Sequence, residues 1–443
     1  MGDNRVNIRE LAAEMLLAID KKEEHSHILL KNVLDKYDYL PKTDKSFLKR
    51  VVEGTLEYRL QIDYILNQFS KTPVNKMKPL IRQILRMSVY QILYMDKVPD
   101  RAICDEAVKL TGKRGFKGLQ GFTNGVLRNI SRNKDNIVWP DETSNPSEYL
   151  SVKYSCPKLV VDELLEEYGA SKTQSILQAY LEKRKLFVRI DEYKGMPKLD
   201  SILNEWEQNA IKYSVSDRLP YVYEIDGIDK PESLALFNEG LYTVQDLSSA
   251  MVCELADIKN GDLVLDMCAA PGGKSLHAAA KIMTFGKGDC SMGRIISRDI
   301  SEYKTDYIDA NVARMGYTTL VTTQVFDATV FDDNLEEKVD VVICDVPCSG
   351  YGVIGKKPDI KYNVTAEGFE TLGNLQRQIV DNAKRYVKSG GTLMYSTCTL
   401  RADENEKMVK YIESEDGWSV VSMEKYTPDE GSDGFFIAKC VKK

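Results

Sequence analysis

Histidine is scarce in this sequence: its 443 residues contain only His25, His27 and His277. Catalysis by a serine–histidine or cysteine–histidine pair would have to run through His277, because it is the one that lies near a candidate site. His277 follows a glycine-rich loop at helical spacing, which is typical of a packed helix residue. Histidine-rich metal sites are excluded on the same count. We therefore expect neither a histidine base nor a metal centre.

Long apolar runs are also missing, and cysteine is sparse. No segment approaches the roughly 20 apolar residues that a membrane-spanning helix needs, and the first residues do not resemble a signal peptide. The nine cysteines are an odd number in a long chain and do not fit a small disulfide-stapled scaffold. The sequence thus predicts a cytoplasmic protein with reduced thiols and no membrane association.

The net charge of −7 is unevenly distributed along the chain. Residues 1–140 carry +8 and residues 141–443 carry −15. A basic N-terminal block on an acidic body suggests that a polyanion binds at one end, although chance variation of the surface would give the same numbers. Charge alone does not decide between these interpretations.

The sequence divides into three regions of different pattern. Residues 1–135 have apolar residues at helical spacing and predict an all-α domain, whereas residues 146–232 predict a small α+β module after a polar linker. From residue 235 to residue 443, short apolar strands alternate with helices, which predicts a doubly wound, mostly parallel α/β sheet. The strands are expected at 263–267, 294–300, 320–326, 339–345 and 392–396.

A glycine-rich loop follows the first of these strands and is the candidate ligand-binding loop. Small residues and two glycines let the backbone approach a ligand closely at the start of a helix. The loop lacks only the first glycine of a P-loop, so a nucleotide hydrolase is an alternative. Its residues are Cys268, Ala269, Ala270, Pro271, Gly272, Gly273 and Lys274.

Acidic residues end the next three strands, at Asp299, Asp327 and Asp345. Ligands of doubly wound sheets bind beyond the carboxyl ends of the strands, so these side chains should meet at one crevice. With the glycine loop they fit a ligand that has a sugar diol, an exocyclic amine and a positive centre.

Two cysteines, Cys348 and Cys398, also follow strands and should face that crevice. Cys344 could form a zinc site with Cys348, but it lies within an apolar strand. Two thiols beside a nucleoside loop suit methylation of a pyrimidine at carbon 5, in which one thiolate adds to carbon 6 and a second group removes the carbon 5 proton. These residues alone do not decide which thiol is the nucleophile.

Several segments resemble the 5-methylcytosine RNA methyltransferases of the RsmB (Sun/Fmu) type. They are VQDLSSAMV (244–252), DMCAAPGGKSLH (266–277), DVPCSGYGVIGKKPDIKY (345–362) and YSTCTLRADENE (395–406). The N-terminal region resembles the NusB-like antitermination fold at 48–66, 84–110 and 121–132. The resemblance implies a NusB-like RNA-binding domain, a Rossmann-like methyltransferase domain, S-adenosylmethionine as cofactor and a cytosine of 16S ribosomal RNA as substrate.

The resemblance also implies roles for individual residues. Cys398 would be the nucleophile, and Cys348 would assist breakdown of the covalent adduct. Residues 268–274 would line the methionine and ribose of the cofactor. Asp299 would bind the ribose hydroxyls, Asp327 the adenine amine, and Asp345 the sulfonium neighbourhood or the cytosine edge.

The RNA must present its cytosine outside the base stack, since the target carbon is inaccessible in stacked RNA. Lys356, Lys357 and Lys361, just past Cys348, are placed to contact flanking phosphates. We expect a monomer with ribosomal RNA as its partner and no stable protein partner. A non-catalytic RNA-binding assembly factor with a degenerate methyltransferase body is a third hypothesis.

Overall fold

The computed structural model describes residues 6–21, 26–183, 185–228, 230–289 and 293–443. These residues form two compact units. The first contains the described residues up to Glu182 together with Ile354–Asn363, and the second contains Lys183–Val353 and Val364–Lys443. The finer division at residues 135, 146, 232 and 235 stays a prediction.

The first unit is helical, as its periodic apolar residues predict. Its described helices are α1 (Ile8–Asp20), α2 (Ser26–Lys36), α3 (Lys42–Glu57), α4 (Arg59–Phe69), α5 (Pro79–Tyr94), α6 (Asp100–Lys113), α7 (Gln120–Asn133), α8 (Pro146–Lys153) and α9 (Lys158–Ala179). Proline stands at the first position of α5 and of α8, where its missing N–H costs nothing.

Helix α5 lies at the centre of this helical core, and nearly all of its middle residues are buried. Gly54 of α3 packs against it: a Cβ at this position would lie 2.0 Å from the ring of Tyr90. A glycine in mid-helix costs about 1 kcal/mol relative to alanine. That cost is offset here by the close approach of the two helices.

The second unit contains two sheets, of which the smaller has the strand order β2-β3-β1-β4 with all pairs antiparallel. Its strands are β1 (Leu186–Ile190), β2 (Lys212–Val215), β3 (Val222–Asp226) and β4 (Tyr242–Val244), and the helices of this region are α10 (Leu199–Gln208) and α11 (Ala235–Asn238). The fully buried Trp206 of α10 packs edge-on against Tyr242 of β4, with ring centroids 5.4 Å apart.

The larger sheet has seven strands in the order β10-β11-β9-β8-β5-β6-β7. They are β5 (Leu263–Asp266), β6 (Arg294–Asp299), β7 (Val321–Val325), β8 (Val339–Asp345), β9 (Val387–Thr397), β10 (Trp418–Tyr426) and β11 (Phe435–Lys442). The accompanying helices are α12 (Leu247–Leu255), α13 (Gly273–Phe285), α14 (Glu302–Arg314), α15 (Ala366–Tyr386) and α16 (Glu406–Glu413).

Strands β5 to β9 are parallel, which confirms the predicted Rossmann-like α/β domain. Strands β10 and β11 extend the sheet as an antiparallel hairpin, so the sheet is mixed. The carboxyl ends of β5, β6, β8 and β9 meet at one edge of the sheet. Across the described residues, no helix has both the length and the apolarity needed to cross a membrane.

Candidate active site

The glycine-rich loop joins β5 to α13 and is fastened to the end of β6. The Ala270 N–H donates to the Asp299 carboxylate at 2.9 Å. Gly272 has a φ of +100°, a left-handed conformation that glycine adopts without strain, and α13 begins at the next residue. Of the other predicted loop residues, Ala269 is buried, Cys268, Ala270 and Gly273 are partly buried, and Pro271 is exposed.

Asp299 and Asp327 end neighbouring strands but have different surroundings. Asp299 is buried and also accepts from the Ile300 N–H at 2.8 Å and pairs with the Lys304 ammonium at 3.0 Å. Asp327 is exposed and accepts from the N–H and hydroxyl of Thr329 at 2.9 and 2.7 Å. These contacts make Asp327 a turn-forming residue, and its role toward adenine stays a prediction.

Beneath the loop lies Asp266, a fully buried carboxylate that the sequence analysis did not single out. Its Oδ2 accepts from the Ser275 hydroxyl at 2.7 Å, whereas its Oδ1 has no hydrogen-bond partner among the described residues. Burial raises the pKa of Asp266 to about 6. A buried acceptor without a partner beside a glycine loop fits a ligand that brings N–H donors or a positive charge.

Lys274 and Asp345 form an ion pair in the same crevice, with 2.5 Å between Nζ and Oδ2. The other Asp345 oxygen accepts from the Ser396 hydroxyl at 2.7 Å. Burial lowers the pKa of Lys274, but the charge and hydrogen bond of Asp345 outweigh it and the net shift is upward. Lys274 is therefore charged at neutral pH.

Cys348 and Cys398 meet at this edge, with 3.1 Å between their sulfur atoms. Both side chains are partly buried. The hydrogen bond to Cys398 raises the pKa of the Cys348 thiol well above its usual value, and burial and the charges of Cys398 and Glu404 add to the shift. Cys348 therefore holds its proton while Cys398 lies beside it.

The zinc and histidine alternatives receive no support from the geometry. Cys344 is fully buried within β8, and across the described part of the chain no three His, Cys, Asp or Glu residues are grouped to hold a metal ion. His277 is fully buried on α13, as predicted for a packed helix residue, and burial lowers its pKa to about 4.

Two buried residues that the sequence analysis missed hold the loop around Cys348. Gln376 of α15 donates from its amide to the Pro347 carbonyl at 2.9 Å. Glu404 accepts from the Ser349 N–H and from the same Gln376 amide, each at 2.9 Å. Glu404 lies inside the motif at 395–406, and Gln376 is a polar residue in the buried stripe of α15, so both carried a sequence signal.

The expectation that Lys361 binds a phosphate is wrong. Its side chain is buried in the first unit, and its ammonium donates to the Glu57 carbonyl at the end of α3, at 2.8 Å. Free carbonyls at a helix C-terminus attract such cations, which explains the contact. Lys356 and Lys357 are exposed.

Comparison with known proteins identifies the family. The model of 16S rRNA methyltransferase RsmB/F matches residues 253–441, and the NusB family model matches residues 6–132. The "Probable ribosomal RNA small subunit methyltransferase B" of Bacillus subtilis (strain 168) is 32% identical, over 99% of both chains. The chain belongs to the RsmB family.

Similarity to a second relative and to a solved structure also extends over the whole chain. The ribosomal RNA small subunit methyltransferase B of Escherichia coli O1:K1 is 27% identical, over 99% of both chains. The alignment with the crystal structure of PH0851 covers 99% of this chain and 99% of that chain, with a TM-score of 0.81 and 23% sequence identity, and it supports the fold.

Membership of the RsmB family confirms part of the predicted function. The chain is an S-adenosylmethionine-dependent methyltransferase of small-subunit ribosomal RNA, with a NusB domain ahead of its catalytic domain. The methyltransferase hypothesis is thus preferred over the P-loop hydrolase, whose first glycine is replaced by Cys268.

Proposed function

We propose that this methyltransferase modifies carbon 5 of a cytosine in 16S ribosomal RNA through a covalent adduct with Cys398. The observation that carries this proposal is the 3.1 Å separation of the Cys348 and Cys398 sulfur atoms beside the glycine loop. A reaction that needs one nucleophile and one group for its release uses both thiols.

The residues around the loop fit S-adenosylmethionine. Residues 268–274 would hold its methionine and ribose, Asp299 the ribose hydroxyls, and Asp327 the adenine amine. The partnerless oxygen of the buried Asp266 and the carboxylate of Asp345 suit a cationic ligand. When bound, the cofactor supplies a methyl group on a positively charged sulfur.

Cys398 attacks carbon 6 of the flipped cytosine as the thiolate, and carbon 5 becomes nucleophilic enough to accept a methyl group. The carbon 5–hydrogen bond must then break. A base takes the proton, the electron pair of that bond restores the double bond between carbons 5 and 6, and Cys398 leaves as the thiolate. We assign Cys348 to this release step.

The electrostatics of the pair support this order of events. Cys398 is the largest cause of the raised pKa of Cys348, through the hydrogen bond between them. Once Cys398 is bonded to carbon 6, that cause disappears and the pKa of Cys348 falls, although burial and the charge of Glu404 still hold it above its ordinary value. Cys348 then gives its own proton to solvent and, as the thiolate, takes the proton from carbon 5. The hydrogen bond between the two thiols thus keeps Cys348 protonated until Cys398 has bonded to carbon 6.

Exposed lysines of the first unit are the best candidates for binding RNA phosphates. Arg82 and Arg86 are turned inward to Asp20, at 2.5 and 3.2 Å, so they stabilise the helical core instead. By contrast, three lysines between α4 and α5 are exposed: Lys71, Lys76 and Lys78. Neutralising phosphates with these side chains would make RNA affinity fall steeply with salt.

The full-length protein, unmodified 16S transcript and S-adenosylmethionine test the proposal together. Bisulfite sequencing should locate one new 5-methylcytosine. A transcript that contains 5-fluorocytidine should form a protein–RNA complex that survives denaturing electrophoresis, since carbon 5 then carries no proton to remove. A methyl group at another position, or no covalent complex with the fluorinated RNA, would contradict the proposal.

A further inference from the structure

The main chain on both sides of Cys348 is held by buried side chains from distant parts of the second unit. The Pro347 carbonyl, before the cysteine, accepts from Gln376, and the Ser349 N–H, after it, donates to Glu404. The two side chains also bond to each other, so the loop and its supports form a closed ring of hydrogen bonds. We call Gln376 and Glu404 the Cys348 brace.

The chemistry of the brace requires a carboxylate at position 404. Three N–H donors converge on Glu404: the Ser349 main chain, the Gln376 amide and the Arg401 guanidinium, whose Nη1 lies 3.2 Å from Oε1. A carboxylate only accepts hydrogen bonds, so it satisfies all three. The glutamine isostere would place an NH₂ group against at least one of these donors.

Burial makes this arrangement sensitive to change. Gln376 and Glu404 are 0% and 1% exposed, so water cannot replace a lost partner. The 3.1 Å contact between the two sulfur atoms depends on the position of the Cys348 loop, since the next residue is tied to Glu404.

We propose that Glu404 and Gln376 are positioning residues that hold Cys348 beside Cys398 and thereby set the rate of adduct release, not of adduct formation. This inference rests on the proposed release role of Cys348. Neither residue forms a hydrogen bond with the Cys348 thiol: both hold the main chain on either side of the cysteine, and the charge of Glu404 also raises the pKa of the thiol.

Single-turnover reactions of the full-length protein with labelled 16S transcript separate the two steps. We expect Glu404→Gln to form the denaturant-resistant complex within about twofold of the wild-type rate but to release it about tenfold more slowly or worse, because a buried hydrogen bond to a charge is lost. Gln376→Met keeps the side-chain volume, removes both amide hydrogens and should behave in the same way. The exchanged variant, Glu404→Gln with Gln376→Glu, should not recover, since a carboxylate would then face the Pro347 carbonyl.

Glu406→Gln is the matched control: it makes the same chemical change two residues away, at an ion pair with Lys425 of β10 at 3.0 Å. It should leave both rates unchanged. The positioning role would be overturned if the brace variants slowed formation and release equally, or if they did not slow release. If Glu404→Gln does not fold, Gln376→Met decides the question.

Cys348→Ala separates this inference from the proposed function. If that variant accumulates no complex, the release role of Cys348 is itself wrong. If it accumulates complex while both brace variants release RNA normally, only the positioning role is wrong.

Discussion

The two thiols lie side by side, but different parts of the molecule hold them. The neighbours of Cys398 are fixed locally: Asn405 accepts from the Thr397 hydroxyl at 2.6 Å and donates to the Thr399 carbonyl at 3.0 Å. Cys348 depends on residues much farther along the chain, including Glu404. The nucleophile is thus held by its own motif and by the Gly352 N–H, which donates to the Cys398 carbonyl at 3.0 Å, whereas the release group has buried supports from α15 and from Glu404.

The chain after Cys348 strengthens this contrast. Six residues later, at Ile354, it enters the first unit, where it stays until Asn363. There the Tyr362 hydroxyl donates to the Leu56 carbonyl at 3.0 Å, and the Arg59 guanidinium lies 3.9 Å from the centre of the Tyr362 ring. Because the segment that follows the Cys348 loop belongs to the first unit, substitutions in that segment test whether it influences the release step.

Removing the locally held thiol should have the largest effect. We expect Cys398→Ala to lower methyl transfer at least about a thousandfold, because no other group replaces the nucleophile. S-Adenosylmethionine binding, measured by calorimetry, should persist, since the predicted cofactor loop does not include Cys398. Full methylation by this variant would show that another group attacks carbon 6.

Removing the second thiol should divide the reaction into its two halves. We expect Cys348→Ala to lower turnover by about 10²- to 10⁴-fold, the usual contribution of a proton-transfer group, while the first bond still forms. The protein–RNA complex should then accumulate on a denaturing gel. Finding only free RNA there would remove the distinction between the two thiols.

A substitution in the helical unit tests whether its contacts reach the release step. Tyr362→Phe removes the donor to the Leu56 carbonyl, and Tyr64→Phe makes the same change at the Val138 carbonyl, where the distance is also 3.0 Å. Each should lower the free energy of unfolding by about 1 kcal/mol, as measured by urea denaturation.

The two tyrosine variants should differ in their kinetics. We expect Tyr362→Phe to slow adduct release about threefold and Tyr64→Phe to leave it unchanged. Equal release rates in the two variants would mean that the Tyr362 contact affects the free energy of unfolding but not the release step.

The smallest effect should come from the bond that joins the two thiol loops, a 2.7 Å contact between the Ser349 and Thr399 hydroxyls. We expect Ser349→Ala and Thr399→Val each to cost about 1 kcal/mol of stability and the double variant to cost less than their sum, since both remove the same bond. Strict additivity in thermal unfolding would mean that the two loops are independent.

The parts of the fold that were predictable are those in which neighbouring residues carry the signal. Strand β8 was predicted at its observed bounds because its residues are almost continuously apolar, as in a strand covered on both faces. Strand β10 was not predicted because partly exposed residues interrupt its apolar pattern. Strand β11 was not predicted either, although its first four residues are apolar and buried.

The candidate site shows the same limit. Cys348 and Cys398 were found because each lies in a recognisable motif at a strand end. The Cys348 brace was not found, because Gln376 matters through its hydrogen bond to the Pro347 carbonyl, and these residues are 29 positions apart in the sequence. The expectation for Lys361 failed for a similar reason: a positive charge in the sequence does not reveal whether the end of a helix already binds it.

The ten residues Ile354–Asn363 belong to the first unit although the chain on both sides of them belongs to the second, and this limits how the enzyme can be divided or recombined. Dividing the protein near residue 183 would separate these residues from their partners. Asp359 would lose its hydrogen bond from the Ser26 hydroxyl, 2.6 Å away, and Lys361 would lose its hydrogen bond to the Glu57 carbonyl. The catalytic half is therefore not a freely exchangeable cassette. A chimera that exchanges the helical unit between family members would have to exchange this segment with it.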